Sequence, residues 1–288
     1  MAQIQKPDLK DLESRKAQLE RADLSLSDLR GVDLSGGQLK EANMKRSNLR
    51  GGKFHDANLN GAEFIGSNLV LTNFSKARLI RANFKRANLS GGNFSESDLS
   101  NAFFNQVLAR KTNFQGANLN RAEFNKAELM ESNFNQTYMS KSDFRGAQLM
   151  QASLEGARIP KSHLSHASFN QATMAGVDLS GCNLSTCDMR ETQLQGANIS
   201  DAIAVRVLFK GANLTGADFT GTHLRGADFA EACLKDTDLS GADLSMATNL
   251  SSEQIQAARI NAKTKLPENL KVTWTSETTF QCTEEPVV

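Results

Sequence analysis

Along most of this chain an apolar side chain returns at every fifth position. The 46 central positions from Leu19 to Leu244 hold only Leu, Phe, Met and Ile, with Ala at 109 and 204. Two residues before each centre, from Ala17 to Ala242, runs a second register occupied only by Ala, Ser, Thr, Gly, Val or Cys. The other three positions are mostly Asn, Asp, Ser, Arg, Lys, Gln and Gly. Two residues of each five therefore face inward and three outward. A period of five fits neither the 3.6 of a helix nor the 2 of a strand, so the chain must turn once per repeat.

The glycines agree with that turn. Of the 20, 17 lie two residues after a centre, as at Gly31, Gly116 and Gly241, where a bend can need positive φ; Gly37, Gly52 and Gly92 fall at the small inward register, where backbones approach closely. Between Phe54 and Phe144 the centres alternate Phe with Leu or Met, apart from Ala109. If four repeats complete a square coil, this alternation puts Phe on two opposite walls and smaller residues on the other two.

Segments such as ANLSG, ANLNG, ADFTG and ADLSG resemble the A-(N/D)-(L/F)-x-G motif of the pentapeptide repeat proteins, and residues 17–245 follow it without insertion. The resemblance implies an all-β solenoid, a right-handed quadrilateral β-helix with about 20 residues per coil. At roughly 4.8 Å between stacked strands, the 46 repeats make about 11.5 coils and a rod ~55 Å long.

The ends break the rule, as a solenoid's ends must if they are to cover open coils. Residues 1–16 read as an N-terminal cap in which Pro7 opens a short helix carrying Leu9 and Leu12; Ser14 fails the central rule. Residues 246–288 read as a C-terminal helix, a short extended segment and a flexible tail. Ser251 and Gln254 form a capping box, with Leu250 and Ile255 placed as a hydrophobic staple. This helix is expected to reach about residue 261 with Ile255, Ala258 and Ala262 on one face, followed by an alternating strand over Leu270, Val272 and Trp274, while CTEEPVV reads as frayed. Leu250, Ile255 and Trp274 are candidates either for a cap or for a dimer contact, since relatives that dimerise do so through this segment.

Stacking by 20 residues assigns each centre to a wall: first (Leu24, Met44, Phe64), second (Leu29, Leu49, Leu69), third (Leu34, Phe54, Phe74) and fourth (Leu19, Leu39, Leu59). Large apolar residues at outward positions concentrate on two adjacent walls. The first carries Ile65, Phe103, Ile203 and Val205, the second Leu71, Leu108, Met130, Met150 and Leu208. Contiguous exposed apolar groups mark interaction surfaces, so these nine are candidate protein-docking residues. Two stretches stand out. In AFFNQVLARK, Phe103 and Leu108 replace the usual Asn or Asp and Ala109 leaves its centre small; in AIAVRVLFK the pattern returns with Ile203, Leu208 and Ala204, five coils or about 24 Å further on. These breaks read either as a two-point docking surface or as β-bulges that turn Leu108 inward in place of Ala109.

Charge is balanced overall, 33 basic against 32 acidic residues, but residues 1–176 carry net +7 and residues 177–245 net −5. Arg81, Lys85, Arg86, Arg121, Lys126, Lys141, Arg145 and Lys161 read as a basic strip at the corner between the fourth and first walls. It is either a contact for phosphate or acidic protein or a solvated face, and without interleaved aromatic residues nucleic acid is disfavoured.

Catalytic chemistry finds little footing. His163 and His166 lack the Cys or acidic companions of a metal set, a straight coil without inserted loops offers no pocket to shelter a triad, and no cofactor is expected. Cys182 and Cys187 fall at the small inward register and read as buried and inert, leaving Cys233 and Cys282 as the reactive candidates. No segment has the apolar length of a membrane span, and the N-terminus has no stretch long enough for a signal peptide, which predicts a cytoplasmic protein with non-classical secretion left open. The expected function is a non-enzymatic, bacterial-type interaction scaffold or adaptor docking a partner protein on two adjacent walls, as a monomer or a C-terminal-segment dimer. The resemblance offers two alternatives: an effector or accessory protein of a secretion system, and a DNA-mimicking protein that protects gyrase. Mimicry needs a strongly acidic rod, which a net charge of +1 disfavours.

Overall fold

The computed structural model describes residues 7–276 and 278–285. The first six residues of the expected N-terminal cap and the last three of the expected tail lie outside the described residues. Two compact units divide the chain, Met1–Ser153 and Leu154–Val288. Each is built from coils of a right-handed β-helix.

One repeat shows how the coil closes. The Leu24 N–H donates to the Asn43 carbonyl at 2.7 Å, Asn43 N–H returns to the Ala22 carbonyl at 2.9 Å, and the corner N–H of Leu26 reaches the Lys45 carbonyl at 2.9 Å. Within the repeat, Ala22 N–H closes a turn on the Leu19 carbonyl. The same pairing recurs as parallel bridges between residues 20 apart, from Asp23↔Asn43 to Asn133↔Ser153 in the first unit and from Arg158↔Asp178 to Asp228↔Thr248 in the second. Corners lie one and two residues after each centre, and the second of these takes positive φ: +70° at Gly31, but also +60° at Arg81 and +58° at Leu71.

The two inward registers form the core. Phe54, Phe74, Phe94, Phe114 and Phe134 stack in one column and Phe64, Phe84, Phe104, Phe124 and Phe144 in another, with centroids 4.6–5.2 Å apart within a column. Rings meet edge to face between columns, as at Phe64 and Phe74 (5.5 Å, 80°). These are the favoured arrangements of aromatic quadrupoles. In the second unit Phe209 stacks on Phe229 at 5.4 Å. Polar members of the small register are satisfied within the core: Ser67 Oγ donates to the Met44 carbonyl at 2.6 Å and Thr112 Oγ1 to the Leu89 carbonyl at 3.0 Å. A small side chain that supplies its own hydrogen bond fits there without the penalty of a buried orphan.

The N-terminal cap starts at helix α1 (Leu9–Ser14), with Asp8 as N-cap accepting from the Lys10 N–H, so Pro7 precedes the cap rather than opening the first turn. Ala17 is exposed within a 3-10 turn (Lys16–Gln18), and bridging begins at Asp23; only the first pentad of the expected 17–245 span thus departs from the ladder. The cap supplies acceptors to the open coil: Glu13 Oε1 takes the Asp33 N–H at 2.9 Å and the Lys16 carbonyl takes the Gln38 N–H at 2.8 Å.

At the other end, α2 (Ser252–Gln256) carries the expected capping box of Ser251 and Gln254, with Leu250 and Ile255 buried. It is shorter than expected, and Ala262 is exposed. Parallel pairing resumes immediately, Asp238↔Arg259 and Asp243↔Lys265, and a helix reaching residue 261 would remove Arg259 from that ladder. The coil therefore extends past residue 245 in a slipped register. Gln254 Nε2 covers two open carbonyls below it, those of Phe229 and Ala232, at 2.9 and 2.8 Å.

The tail also differs from expectation. Strand β1 (Leu270–Trp274) pairs antiparallel with β2 (Phe280–Glu284), so Cys282, Thr283 and Glu284 are ordered rather than frayed. Gln256 ties this hairpin to α2, donating to the Phe280 carbonyl at 2.9 Å and accepting from the Cys282 N–H at 3.1 Å.

Candidate interaction surfaces

The residue just before each centre is the bridged, outward one, and it is usually Asn or Asp for a structural reason. Its side chain accepts from the turn N–H two residues on, as Asn73 Oδ1 does from Ser75 at 3.0 Å. Asn side chains also join along the ladder, as where Asn113 Nδ2 donates to Asn93 Oδ1 at 3.3 Å. Both interactions are lost where the position is apolar.

Leu108 and Phe103 occupy this position in the first unit. Register is unbroken through both, with Asn88↔Leu108↔Glu128 and Asn83↔Phe103↔Glu123, and Ala109 remains fully buried at its centre. The bulge alternative is thereby excluded: Leu108 points out, 42% exposed. Phe103 is half-buried. In the second unit Ile203 and Leu208 hold the same position in an equally regular ladder, Asn183↔Ile203↔His223 and Asp188↔Leu208↔Asp228, and both are exposed.

The remaining docking candidates sit at corners rather than on flat walls, because the bend takes the two residues after each centre. Leu71, the most exposed of them at 57%, lies over Gly91, where an added Cβ would come 2.8 Å from Leu71 Cδ2. Ile65, Met130, Met150 and Val205 are half-buried. Near Leu71 and Met130 the surface is interrupted by charge, with Lys111 Nζ 3.2 Å and Arg110 Nη2 4.0 Å from Glu131. Tyr138 on the fourth wall is also 47% exposed.

The basic strip divides. Arg81, Arg121 and Lys141 stack at the corner leading into the first wall of the first unit, and Lys161 takes the equivalent place within a repeat of the second. Lys85, Arg86, Lys126 and Arg145 instead occupy the corner that leaves the first wall, since the turn falls after centres Phe84, Phe124 and Phe144. Arg145 is held by Asp143 at 2.6 Å and Arg86 by Gln106 at 2.9 Å. Arg81, Arg121 and Lys141 have no ion pair among the described residues.

Leu250 and Ile255 are consumed by the C-terminal cap, while Trp274 stays 37% exposed with its ring 5.4 Å from Phe280. Cys182 and Cys187 are buried, their thiols donating to the Ile159 and Leu164 carbonyls. Burial pushes Cys182 up to about 12 and Cys187 higher still. Cys233 is exposed, and the Thr215 hydroxyl 3.4 Å away draws its thiol below the usual value. Cys282, expected in a loose tail, is half-buried in β2 and raised by that burial. His166 Nδ1 meets Thr186 Oγ1 at 2.7 Å. Among the described residues no three His, Cys, Asp or Glu side chains are placed to hold a metal ion, and no helix is long and apolar enough to cross a membrane.

A family model described as a pentapeptide repeat region matches residues 57–134 and 142–219, and a second, described as pentapeptide repeats (8 copies), matches 15–51 and 208–245. Together they span well over half the chain. Among solved structures, HetL, a pentapeptide repeat protein involved in heterocyst differentiation regulation from the cyanobacterium Nostoc, is similar at 23% identity over 80% of this chain and 94% of its own, with a TM-score of 0.58. A pentapeptide repeat protein of the Arabidopsis thaliana thylakoid lumen is 32% identical over 32% of this chain and 65% of its own, with a TM-score of 0.32. QnrB1, a plasmid-mediated fluoroquinolone resistance protein, aligns at 17% identity over 70% of this chain and 85% of its own, with a TM-score of 0.40. Comparison with curated proteins finds no match.

Proposed function

This chain belongs to the pentapeptide repeat family, and from that premise we propose that it is a non-enzymatic docking protein whose outward apolar residues seat a partner protein. Leu108 carries the reading. It stands exposed in an unbroken ladder, at a position where Asn or Asp would cap the following turn and bond to neighbouring coils. Among the described residues, the turn N–H of Arg110 receives no side-chain acceptor as a result. A residue that gives up two local interactions and gains no burial is placed for contact with something else. Leu71 and half-buried Phe103, Ile65, Met130 and Met150 extend that surface in the first unit, while Ile203, Leu208 and Val205 provide another in the second. Arg81, Arg121 and Lys141, without an ion pair among the described residues, weigh against imitation of DNA. Leu250 and Ile255 serve as cap core rather than as a dimer contact.

The test places a benzophenone amino acid at position 108 and, as control, at Asn93 on the third wall. The expected result is a protein adduct formed from 108 and not from 93, together with loss of that partner by a Leu108→Asp variant that melts like wild type. Identical adducts from the two positions overturn the reading.

A further inference from the structure

One corner of the second unit holds chemistry that the docking reading leaves unused. Residues 177–245 are acidic, with ten Asp and Glu against the five cations Arg190, Arg206, Lys210, Arg225 and Lys235. Arg190 is paired with Asp188 and Lys210 with Glu231. Arg206 and Arg225 are not paired with any acid among the described residues, yet they sit together: the Arg206 N–H donates to the Arg225 carbonyl at 3.0 Å, and their side chains border one surface hollow of about 480 Å³. Gly226 opens its floor, since the Arg206 stem lies where a Cβ at Gly226 would come within 3.4 Å.

The state of Arg225 shows what is missing. Its Nε and Nη2 both reach the Met246 thioether, each at 3.3 Å. A guanidinium edge is a two-pronged donor matched to the two oxygens of a carboxylate or phosphate, and a thioether sulfur is a weak acceptor. The fork is thus aligned but poorly satisfied. Met246, 63% exposed, and Val205 give the hollow an apolar side, and exposed Ile203 lies two residues before Val205 in the same repeat. An anion with an aliphatic neighbour matches that mixture. The surrounding negative charge opposes a dense polyanion such as nucleic acid, whereas a single carboxylate brings little repulsion.

We propose that Arg206 and Arg225 form a carboxylate-recognition site for an acidic residue flanked by aliphatic side chains in an extended segment of the partner protein, with Met246 and Val205 receiving the aliphatic part. This rests on the docking reading above and names the chemistry that its partner would present.

The test uses the full chain with methyl-labelled methionine and follows the Met246 methyl signal by NMR during titration with acetyl-Leu-Glu-Leu-amide. The controls are acetyl-Leu-Gln-Leu-amide and inorganic phosphate. The expected result is a saturable shift with the Glu peptide at a half-point at least tenfold below that of the Gln peptide, weakened as salt rises from about 50 to about 300 mM. An Arg206→Gly, Arg225→Gln variant with an unchanged melting curve should lose the preference; glycine suits the positive φ of residue 206. Equal response to the two peptides, or a larger shift with phosphate at the same concentration, overturns the proposal. Because the titration needs no partner, a failed crosslink at 108 with the peptide preference intact sinks the docking surface of the first unit alone. The converse sinks only the carboxylate site.

Discussion

Phe104 lies 4.6 Å from Phe124, one coil on, with their rings within 2° of parallel. Phe104 also stacks on Phe84 at 4.9 Å and meets Phe94 and Phe114 edge to face. Phe104 thus supports four other rings, and deleting it leaves a void that a repetitive backbone cannot collapse around. Phe104→Ala is expected to cost about 3–5 kcal/mol, and Phe104→Leu, which leaves a smaller void, distinctly less. Urea denaturation measures both. Coils also unfold as neighbours in a solenoid, so amides between Phe84 and Phe124 should exchange faster in Phe104→Ala than those near the N-terminal cap. Uniform acceleration would contradict this picture.

Leu71 over Gly91 separates two costs that usually arrive together. Gly36 has φ +67° and open space where a Cβ would go; Gly91 has φ +68° but Leu71 Cδ2 at 2.8 Å. Gly36→Ala should therefore lose about 1 kcal/mol from the left-handed backbone alone, and Gly91→Ala only slightly more, because Leu71 Cδ2 is the free end of an exposed side chain that can turn aside. In a Leu71→Ala background the two substitutions should cost the same, a coupling that a double-mutant cycle reads directly.

Features that depend only on spacing along the chain are legible in the sequence. The five-residue rule places Leu19 to Leu244 in the core, the Phe alternation yields two stacked columns, and Ser251 with Gln254 marks the start of α2. Spacing alone does not say where within a pentad the bend falls. Arg86 and Lys126 are for that reason assigned to the corner of Arg121 when they lie at the next one. Contacts set by distant partners are equally hidden. Nothing local to Phe280 announces that it faces Trp274 in a hairpin, and the Arg225 to Met246 contact depends on stacking across 21 residues. Outward apolar residues such as Leu108 were legible because they break a rule that their neighbours keep.

The four thiols divide by burial. Cys182 stays protonated far above neutral pH because its thiolate would lose water, and Cys187 does so even more strongly. Cys233, exposed and stabilised as thiolate by Thr215, should be alkylated first by iodoacetamide near pH 8, with Cys282 slower in β2. Mass spectrometry should show one fast adduct, absent in Cys233→Ser, and modification of Cys182 and Cys187 only after denaturant is added. Early labelling of either buried cysteine would mean that the coils open far more often than their packing implies.

Several outward aspartates link the ladder to pH. The Arg190 side chain bonded to Asp188 holds that carboxyl below its usual range, and the Ser245 hydroxyl does the same for Asp243. Each titrates lower when folded than when unfolded, so its contribution is complete above the unfolded value and disappears as the pH falls through the folded one. The melting temperature should therefore be level from about pH 7 to 5 and decline below about pH 4. Asparagine occupies the same position in other repeats and still accepts from the turn N–H, as Asn43 Oδ1 does from Lys45. Asp188→Asn should consequently keep the turn and lose only the Arg190 pair, at about 0.5 kcal/mol near neutrality for a partly exposed pair, while making the acid decline shallower. A decline that is just as steep in Asp188→Asn would locate the acid sensitivity elsewhere than in this carboxylate.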